Sequence, residues 1–334
     1  MTFEAVRRYM QSFDEIASLE WLALTGGEPL LFFDDIQKVL AYAKQCSLKT
    51  KLVTNAYWAT DEHTALERLK ALIDSGLDFL GISADVYHEE YIPLERVKYC
   101  LSASRKLNLG HEVAMITGQK DAESTRRILH DLHLDTEGVL VSDKLHLLDT
   151  VSYLGILRGR TAVVLMPAQS FGRATAHPER VAWVPAETLK HVTCPMVGRV
   201  VSVNPLGHAH WCCCMFGRDG VRNTCFEVGN LTDTTLAEID GKLRTDPLVA
   251  FLAYQGPFEL FRHLRDGGVP FAERFSCACD LCLQAFQSVP RPQLEHVARD
   301  QASTTEVLKW IVNRERAAAW EDVRRRWRTS ACLM

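Results

Sequence analysis

No stretch of this sequence approaches the ~20 consecutive apolar residues that a membrane-spanning helix needs. The opening MTFEAVRRYM lacks the apolar core of a secretory signal. Basic charge is not in excess: 38 Lys and Arg face 42 Asp and Glu, a net charge of −4. Composition therefore argues against nucleic acid as a partner. Internal repeats and low-complexity segments are absent. Cysteine is scarce early in the chain, where only Cys46 and Cys100 precede residue 190. Together these absences lead us to expect a cytoplasmic chain without a membrane span.

What is present is ordinary in bulk and unusual in one respect. The 334 residues are 47% hydrophobic and 24% charged. They suffice for about two domains, or one large α/β domain, with a substantial core. The unusual feature is eleven cysteines. Eight lie between Cys194 and Cys282, and Cys332 sits in the tail. A reducing compartment disfavours stable disulfides, so such a cluster points to a bound metal.

Strand and helix patterns alternate through the first half. Trp21-Leu22-Ala23-Leu24 reads as a short buried strand ending in Thr25-Gly26-Gly27. A helix begins around Phe33, with Asp34 expected as its cap and Gln37 completing a capping box. Ile36, Val39, Leu40 and Ala43 form its buried stripe. Strands are expected at Lys51 to Asn55, Phe79 to Ser83, Glu112 to Thr117 and Thr161 to Met166. Helices are expected at 61–75, stopped by Gly76, and at 93–107 and 122–133. Residues 134–160 have no readable period. This alternation predicts a parallel sheet, open or closed into a barrel, with its chemistry at the C-terminal strand ends. After Pro167 the pattern changes to Gly, Pro, Cys and short elements. The expected division is 1–180, a small cysteine-rich domain over 181–290, and a charged helical tail over 291–334. Leu308, Trp310, Ile311, Trp320 and Trp327 are the tail's candidate anchors.

Three polar segments fall at the strand ends: Thr25-Gly26-Gly27-Glu28-Pro29, Thr54-Asn55 and Ser83-Ala84-Asp85. The first has a plain structural reading, since two glycines permit a tight turn and proline stiffens the backbone as the chain leaves it. Its functional reading is a turn that offers backbone carbonyls and Glu28 to a ligand's ammonium group. Asn55 and Asp85 then face the same ligand, and Ser83 and Asp85 suit sugar hydroxyls. Taken with Phe171-Gly172-Arg173-Ala174, these segments resemble the radical S-adenosylmethionine (SAM) superfamily over residues 1 to about 290. The resemblance implies a partial (β/α)6 barrel. It also implies a SAM site at Gly26, Gly27, Glu28, Pro29, Asn55, Ser83 and Asp85, with the methionine amino group at Gly-Gly-Glu-Pro and the ribose at Ser83 or Asp85.

One departure from that family is large. Its members carry Cys-x3-Cys-x2-Cys after the first strand, and those thiolates hold the [4Fe–4S] cluster that cleaves SAM. This sequence has no such motif. Residues 2–14 look like the helix that comes after that loop, so the barrel is expected to lack its first strand. Two explanations stand: a truncated or misassigned start, which the otherwise intact site favours, or genuine loss of the radical cluster.

The second constellation is Cys194, Gly207, Cys212-Cys213-Cys214, Cys225, Cys277, Cys279 and Cys282. A turn at Pro205-Leu206-Gly207 between short strands brings Cys212 back toward Cys194. Cys279-x2-Cys282 is a loop bite suited to one metal site. Spacing alone leaves structural zinc and an iron–sulfur cluster both open. The pattern resembles the SPASM/Twitch extensions of radical SAM enzymes, as does Val228-Gly229-Asn230-Leu231 with the helix after it. That resemblance implies one auxiliary [4Fe–4S] cluster on Cys194, Cys212, Cys279 and Cys282, with Cys213, Cys214, Cys225 and Cys277 as substitutes and a second cluster left open. It further implies a peptide or small-molecule substrate, hydrogen abstraction by a 5′-deoxyadenosyl radical, and an electron donor such as a flavodoxin or ferredoxin. The alternative is a non-catalytic SAM- or metal-binding protein. His88 is a candidate acid–base group. His208 and His210 share a strand face beside the cysteines, and Arg324-Arg325-Arg326-Trp327-Arg328 reads first as a solvated helix face.

Overall fold

A computed structural model describes residues 2–118, 120–134, 140–141, 161–170, 176–194, 196–213 and 226–314. Phe171 to Ala174, Cys214, Cys225, Trp320, the arginine run and Cys332 lie outside the described residues. Two compact units divide the described chain between Met166 and Pro167.

The first unit is α/β. Helix α1 (Phe3–Tyr9) precedes β1 (Trp21–Leu24), α2 (Phe33–Gln45), β2 (Lys49–Thr54), α3 (Glu62–Ser75) and β3 (Phe79–Ser83). Then come α4 (Val86–Glu89), α5 (Leu94–Lys106), β4 (Gly110–Thr117), α6 (Ala122–Asp131), β5 (Leu140–Val141) and β6 (Thr161–Pro167). The sheet order is β1-β2-β3-β4-β6-β5. The pairings β1–β2, β2–β3, β3–β4 and β5–β6 are parallel. The period-two burial of β2 explains the arrangement. Thr50, Leu52 and Thr54 are buried while Lys51 and Val53 keep partial exposure. One sheet face, carrying Leu52, Leu80, Ile82, Val113 and Met115, packs on Leu40, Leu69, Leu72, Val97, Leu101 and Ile128 of the helices. Cys100 belongs to this core, and burial pushes its thiol well above the ordinary range. The core thus accounts for one of the two early cysteines.

Local signals explain most boundaries. Asp61 caps α3 by accepting the Thr64 N–H at 2.8 Å, and Gly76 ends it at φ +117°. The start of α2 differs from expectation. Asp34 is not its cap, because the helix continues directly from a 3-10 turn (Pro29–Phe32) whose capping carboxylate is Glu28. Gln37 reaches instead across to Ser75 Oγ at 3.3 Å. The unreadable segment contains β5, which pairs with the outer side of β6. Two residues are too few to show a period.

In the second unit, Ser202–Val203, His208–His210 and Glu227–Asn230 form a three-stranded antiparallel sheet. The expected turn stands between the first two strands. Gly207 takes φ +84°, and Asn204 Oδ1 accepts from the N–H groups of Leu206 and His208 at 2.9 and 3.1 Å. Val184–Pro185 pairs with Arg274–Phe275. Helices come next at Leu236–Thr245, Pro247–Tyr254, Pro257–Asp266, Ala278–Ser288 and Arg291–Asp300. Phe258, Phe261, Phe275 and Leu281 form one core with Ala186 and Leu189. Trp211, Phe226 and Phe286 pack ring on ring, with centroids 4.7 to 5.6 Å apart. Residues 302–314 are helical, as expected of the tail. Of its anchors there, Leu308 is half-buried, whereas Trp310 is 63% exposed and Ile311 36%, which corrects the reading for those two. Among the described residues, no helix is long and apolar enough to cross a membrane.

Candidate functional site

The parallel register carries the C-terminal ends of β1 to β4 to one edge of the sheet. The three polar segments at the strand ends therefore meet at that edge. After β1 the chain turns at Gly26, whose φ of +134° suits glycine, and a side chain there or at Gly27 would enter open space. Thr25, Gly26 and Gly27 are exposed, so their backbone is accessible to a ligand.

Glu28 points back into the protein. Its carboxylate accepts from the Leu30 N–H at 3.0 Å, the Thr54 hydroxyl at 2.9 Å and the Asn55 N–H at 2.8 Å. Thr54 Oγ1 also accepts from the Ala56 N–H and the Trp58 indole at 3.1 and 3.0 Å. The Asn55 side chain accepts the Tyr57 N–H at 3.0 Å, and the Tyr57 hydroxyl donates to the Leu30 carbonyl at 3.1 Å. A closed network thus ties the β1 turn to the β2 end. Sequence reasoning did not single out Thr54 as its centre, because its partner Glu28 lies 26 residues upstream and nothing local marks the pairing.

At the next strand ends, Asp85 is 2% exposed and Ser83 is half-buried. Asp85 caps α4. One oxygen accepts from the N–H groups of Tyr87 and His88 at 3.0 and 3.1 Å and faces His88 Nδ1 at 2.9 Å. The other accepts from the Ile116 N–H of β4 at 3.1 Å. Burial raises the pKa of this carboxyl, but His88 and the backbone donors outweigh burial and hold it below the ordinary carboxylate value. Asp85 is therefore an anion that clamps the β3 and β4 ends together.

The cysteines of the second unit also converge. Cys279 and Cys282 sit in the first turns of helix Ala278–Ser288, where i and i+3 share a face. Their pairing is thus helical rather than a loop bite. Buried Asp280 fixes that turn by accepting from the Ser276 N–H at 2.8 Å, the Ser276 hydroxyl at 3.2 Å and Gln284 Nε2 at 3.3 Å. An acidic residue at the third helical position was the signal for it. The Cys282 thiol is pushed far up, first by burial and then by the proximity of Cys212, Cys194 and Cys279. Residue 282 as a whole keeps partial exposure, so it is the sulfur that is enclosed. Burial also raises the Cys194 thiol, with Cys279 and Cys213 adding to it, while the N–H groups of Met196 and Val197 donate to this sulfur and oppose the rise. Cys277 sits against Cys279 and its thiol is raised by that contact and by burial. His208 bonds Glu227 at 2.8 Å and His210 is fully buried.

Four thiols from three separate segments therefore share one neighbourhood, with Cys213 beside them. Among the described residues, no three His, Cys, Asp or Glu side chains close around a single ion. Thiolates ligate both zinc and iron–sulfur clusters.

No protein-family model matches the chain. Over 106 residues it is 24% identical to the "Putative peptide biosynthesis protein YydG" of Bacillus subtilis (strain 168). That stretch covers 32% of this chain and 33% of the relative, so the chain spans about a third of that protein's length.

Proposed function

We propose that this chain is the scaffold of a radical SAM-type iron–sulfur enzyme that modifies a peptide, with SAM at the strand-end edge and one auxiliary [4Fe–4S] cluster on Cys194, Cys212, Cys279 and Cys282. The observation that carries the reading is the gathering of those four thiols, in a chain whose parallel sheet bears Gly-Gly-Glu-Pro, Asn55 and Ser83 along one edge. The relative's name as a peptide biosynthesis protein favours a peptide over other small substrates. In this reading the first domain is a partial barrel over 1–180 and residues 181–290 are a Twitch-like domain.

Each residue has a defined task. The exposed backbone of Thr25 to Gly27 receives the ammonium group of SAM. Glu28 and Thr54 hold that turn against β2. Ser83 offers a hydroxyl to the ribose, and Asp85 keeps the β3 and β4 ends in register. When bound, SAM would supply a 5′-deoxyadenosyl radical only with an electron from a reducing cluster whose Cys-x3-Cys-x2-Cys ligands this sequence does not carry, and the auxiliary cluster would supply a one-electron relay. Cys194, Cys212, Cys279 and Cys282 would together hold such a cluster without an open iron, and a flavodoxin or ferredoxin would be a suitable one-electron partner for it.

The sequence has no Cys-x3-Cys-x2-Cys, and that observation favours a second reading, a SAM- or metal-binding protein without radical chemistry. Paired alanine substitution of Cys279 and Cys282 tests the proposal. It should remove the auxiliary iron and sulfide while SAM binding, followed by equilibrium dialysis, stays within about twofold. A zinc-only protein that loses SAM binding in the same variant would contradict it.

A further inference from the structure

His88 lies one helical turn beyond the buried Asp85 and stands at the same C-terminal edge of the sheet. Asp85 already has three backbone donors, from Tyr87, His88 and Ile116. The fourth contact, from His88 Nδ1 at 2.9 Å, is not needed to satisfy the carboxylate. Its effect is on the ring. A carboxylate only accepts, so Nδ1 carries the proton, and the lone pair of the neutral imidazole is placed on Nε2. The His88 side chain is 35% exposed against 2% for Asp85, so the ring reaches toward solvent while its anchor does not. A capping box would have sent the third-position side chain back to the cap residue's own N–H, which this histidine does not do.

The charged groups around the pair have partners of their own. Helix α4 packs against β4 and α6. From α6, Arg127 pairs with Glu89, and Asp121 accepts the Tyr87 hydroxyl at 2.5 Å and the Gly118 N–H at 2.7 Å. From β4 the contact is the Ile116 N–H. The imidazole is thus oriented by one buried anion, which is the arrangement of a general base held by a third group.

We propose that Asp85 and His88 form an acid–base pair serving the strand-end site, with His88 Nε2 the atom that exchanges a proton with the bound ligand and Asp85 the positioning residue. In the step, an acidic X–H of the ligand breaks, its proton moves to Nε2, and the bonding electron pair stays on X. The imidazolium charge is balanced by the Asp85 carboxylate, and the reverse transfer restores both. The inference rests on the reading of the strand ends as a SAM site.

The test uses the chain as it is. Nitrogen-15 spectra of histidine-labelled protein should show neutral His88 protonated on Nδ1. Diethyl pyrocarbonate, which acylates the free imidazole nitrogen, should modify His88 faster than exposed His63, His130 and His296. Asp85→Asn should slow that modification roughly tenfold or more, because a charge-assisted hydrogen bond no longer fixes the tautomer. If that variant fails to fold, the nitrogen spectra of the native chain decide the tautomer unaided. Neutral His88 protonated on Nε2, or reacting no faster than the exposed histidines, overturns the proposal. Equilibrium dialysis separates the two readings. If SAM does not bind, the SAM site falls while the tautomer and reactivity results still judge the pair. If SAM binds, protection of His88 supports the pair's place in the site, and undiminished modification overturns it.

Discussion

The hydroxyl of Thr54 donates to Glu28 and accepts from the Ala56 N–H and the Trp58 indole, all at 2.9 to 3.1 Å. Thr54→Ala removes all three bonds around a 2%-exposed position and should cost about 2–3 kcal/mol. Thr54→Ser keeps the hydroxyl and loses one methyl, about 0.8 kcal/mol, and urea denaturation of both variants measures the difference. His111 gives a pH prediction. It is fully buried between the Leu109 carbonyl and Thr161 Oγ1, at 2.8 and 2.7 Å. Burial, with nearby Arg105 adding to it, lowers its pKa to about 4. The folded value lies below the unfolded one, so stability is undiminished above about pH 6.5 and falls as pH drops toward 4. The full loss is about 3 kcal/mol. His111→Gln should flatten stability across that window, measured by denaturation at several pH values. No flattening would mean that other groups carry the acid sensitivity.

Helix Ala278–Ser288 delivers Cys279 and Cys282 from one face, and Asp280 holds its first turn to Ser276. Asp280→Ala leaves the Ser276 N–H without that acceptor in a buried place. It should cost about 2–3 kcal/mol and reduce metal uptake, read by denaturation and by metal analysis of the purified variant. At this scale the sequence was informative where a signal was local. The strands at Trp21–Leu24 and Phe79–Ser83 follow from short apolar runs, and the Gly76 and Gly207 turns from glycine φ. Reading failed where one local pattern fitted two structures or a partner lay on another element. Asp34 looked like a cap until Glu28 claimed the turn before it. Cys279-x2-Cys282 looked like a loop because spacing i, i+3 fits a turn and a helix equally. The Asp85 side chain was read toward a ligand, whereas its donors on β4 and α4 turn it inward.

In the proposed reading the two units have separate tasks, and metal should act on one of them. All four proposed ligands lie in the unit that begins at Pro167. Removing the metal with a chelator should therefore lower the unfolding temperature of that unit, because bound metal stabilises only the folded site. The unit ending at Met166 should keep its own transition, which calorimetry resolves. A single shared shift would mean that the units unfold as one. The α/β character and the strand-end placement of the polar segments were legible in the alternation of patterns. The turn at Gly207 between Cys194 and Cys212 was legible as well. The most direct measurement is iron, acid-labile sulfide and zinc per chain, with an optical spectrum, on anaerobically purified protein. The account predicts about four irons and four sulfides with broad absorption near 400 nm, as one cysteine-ligated cluster gives. About one zinc per chain and no sulfide would contradict it.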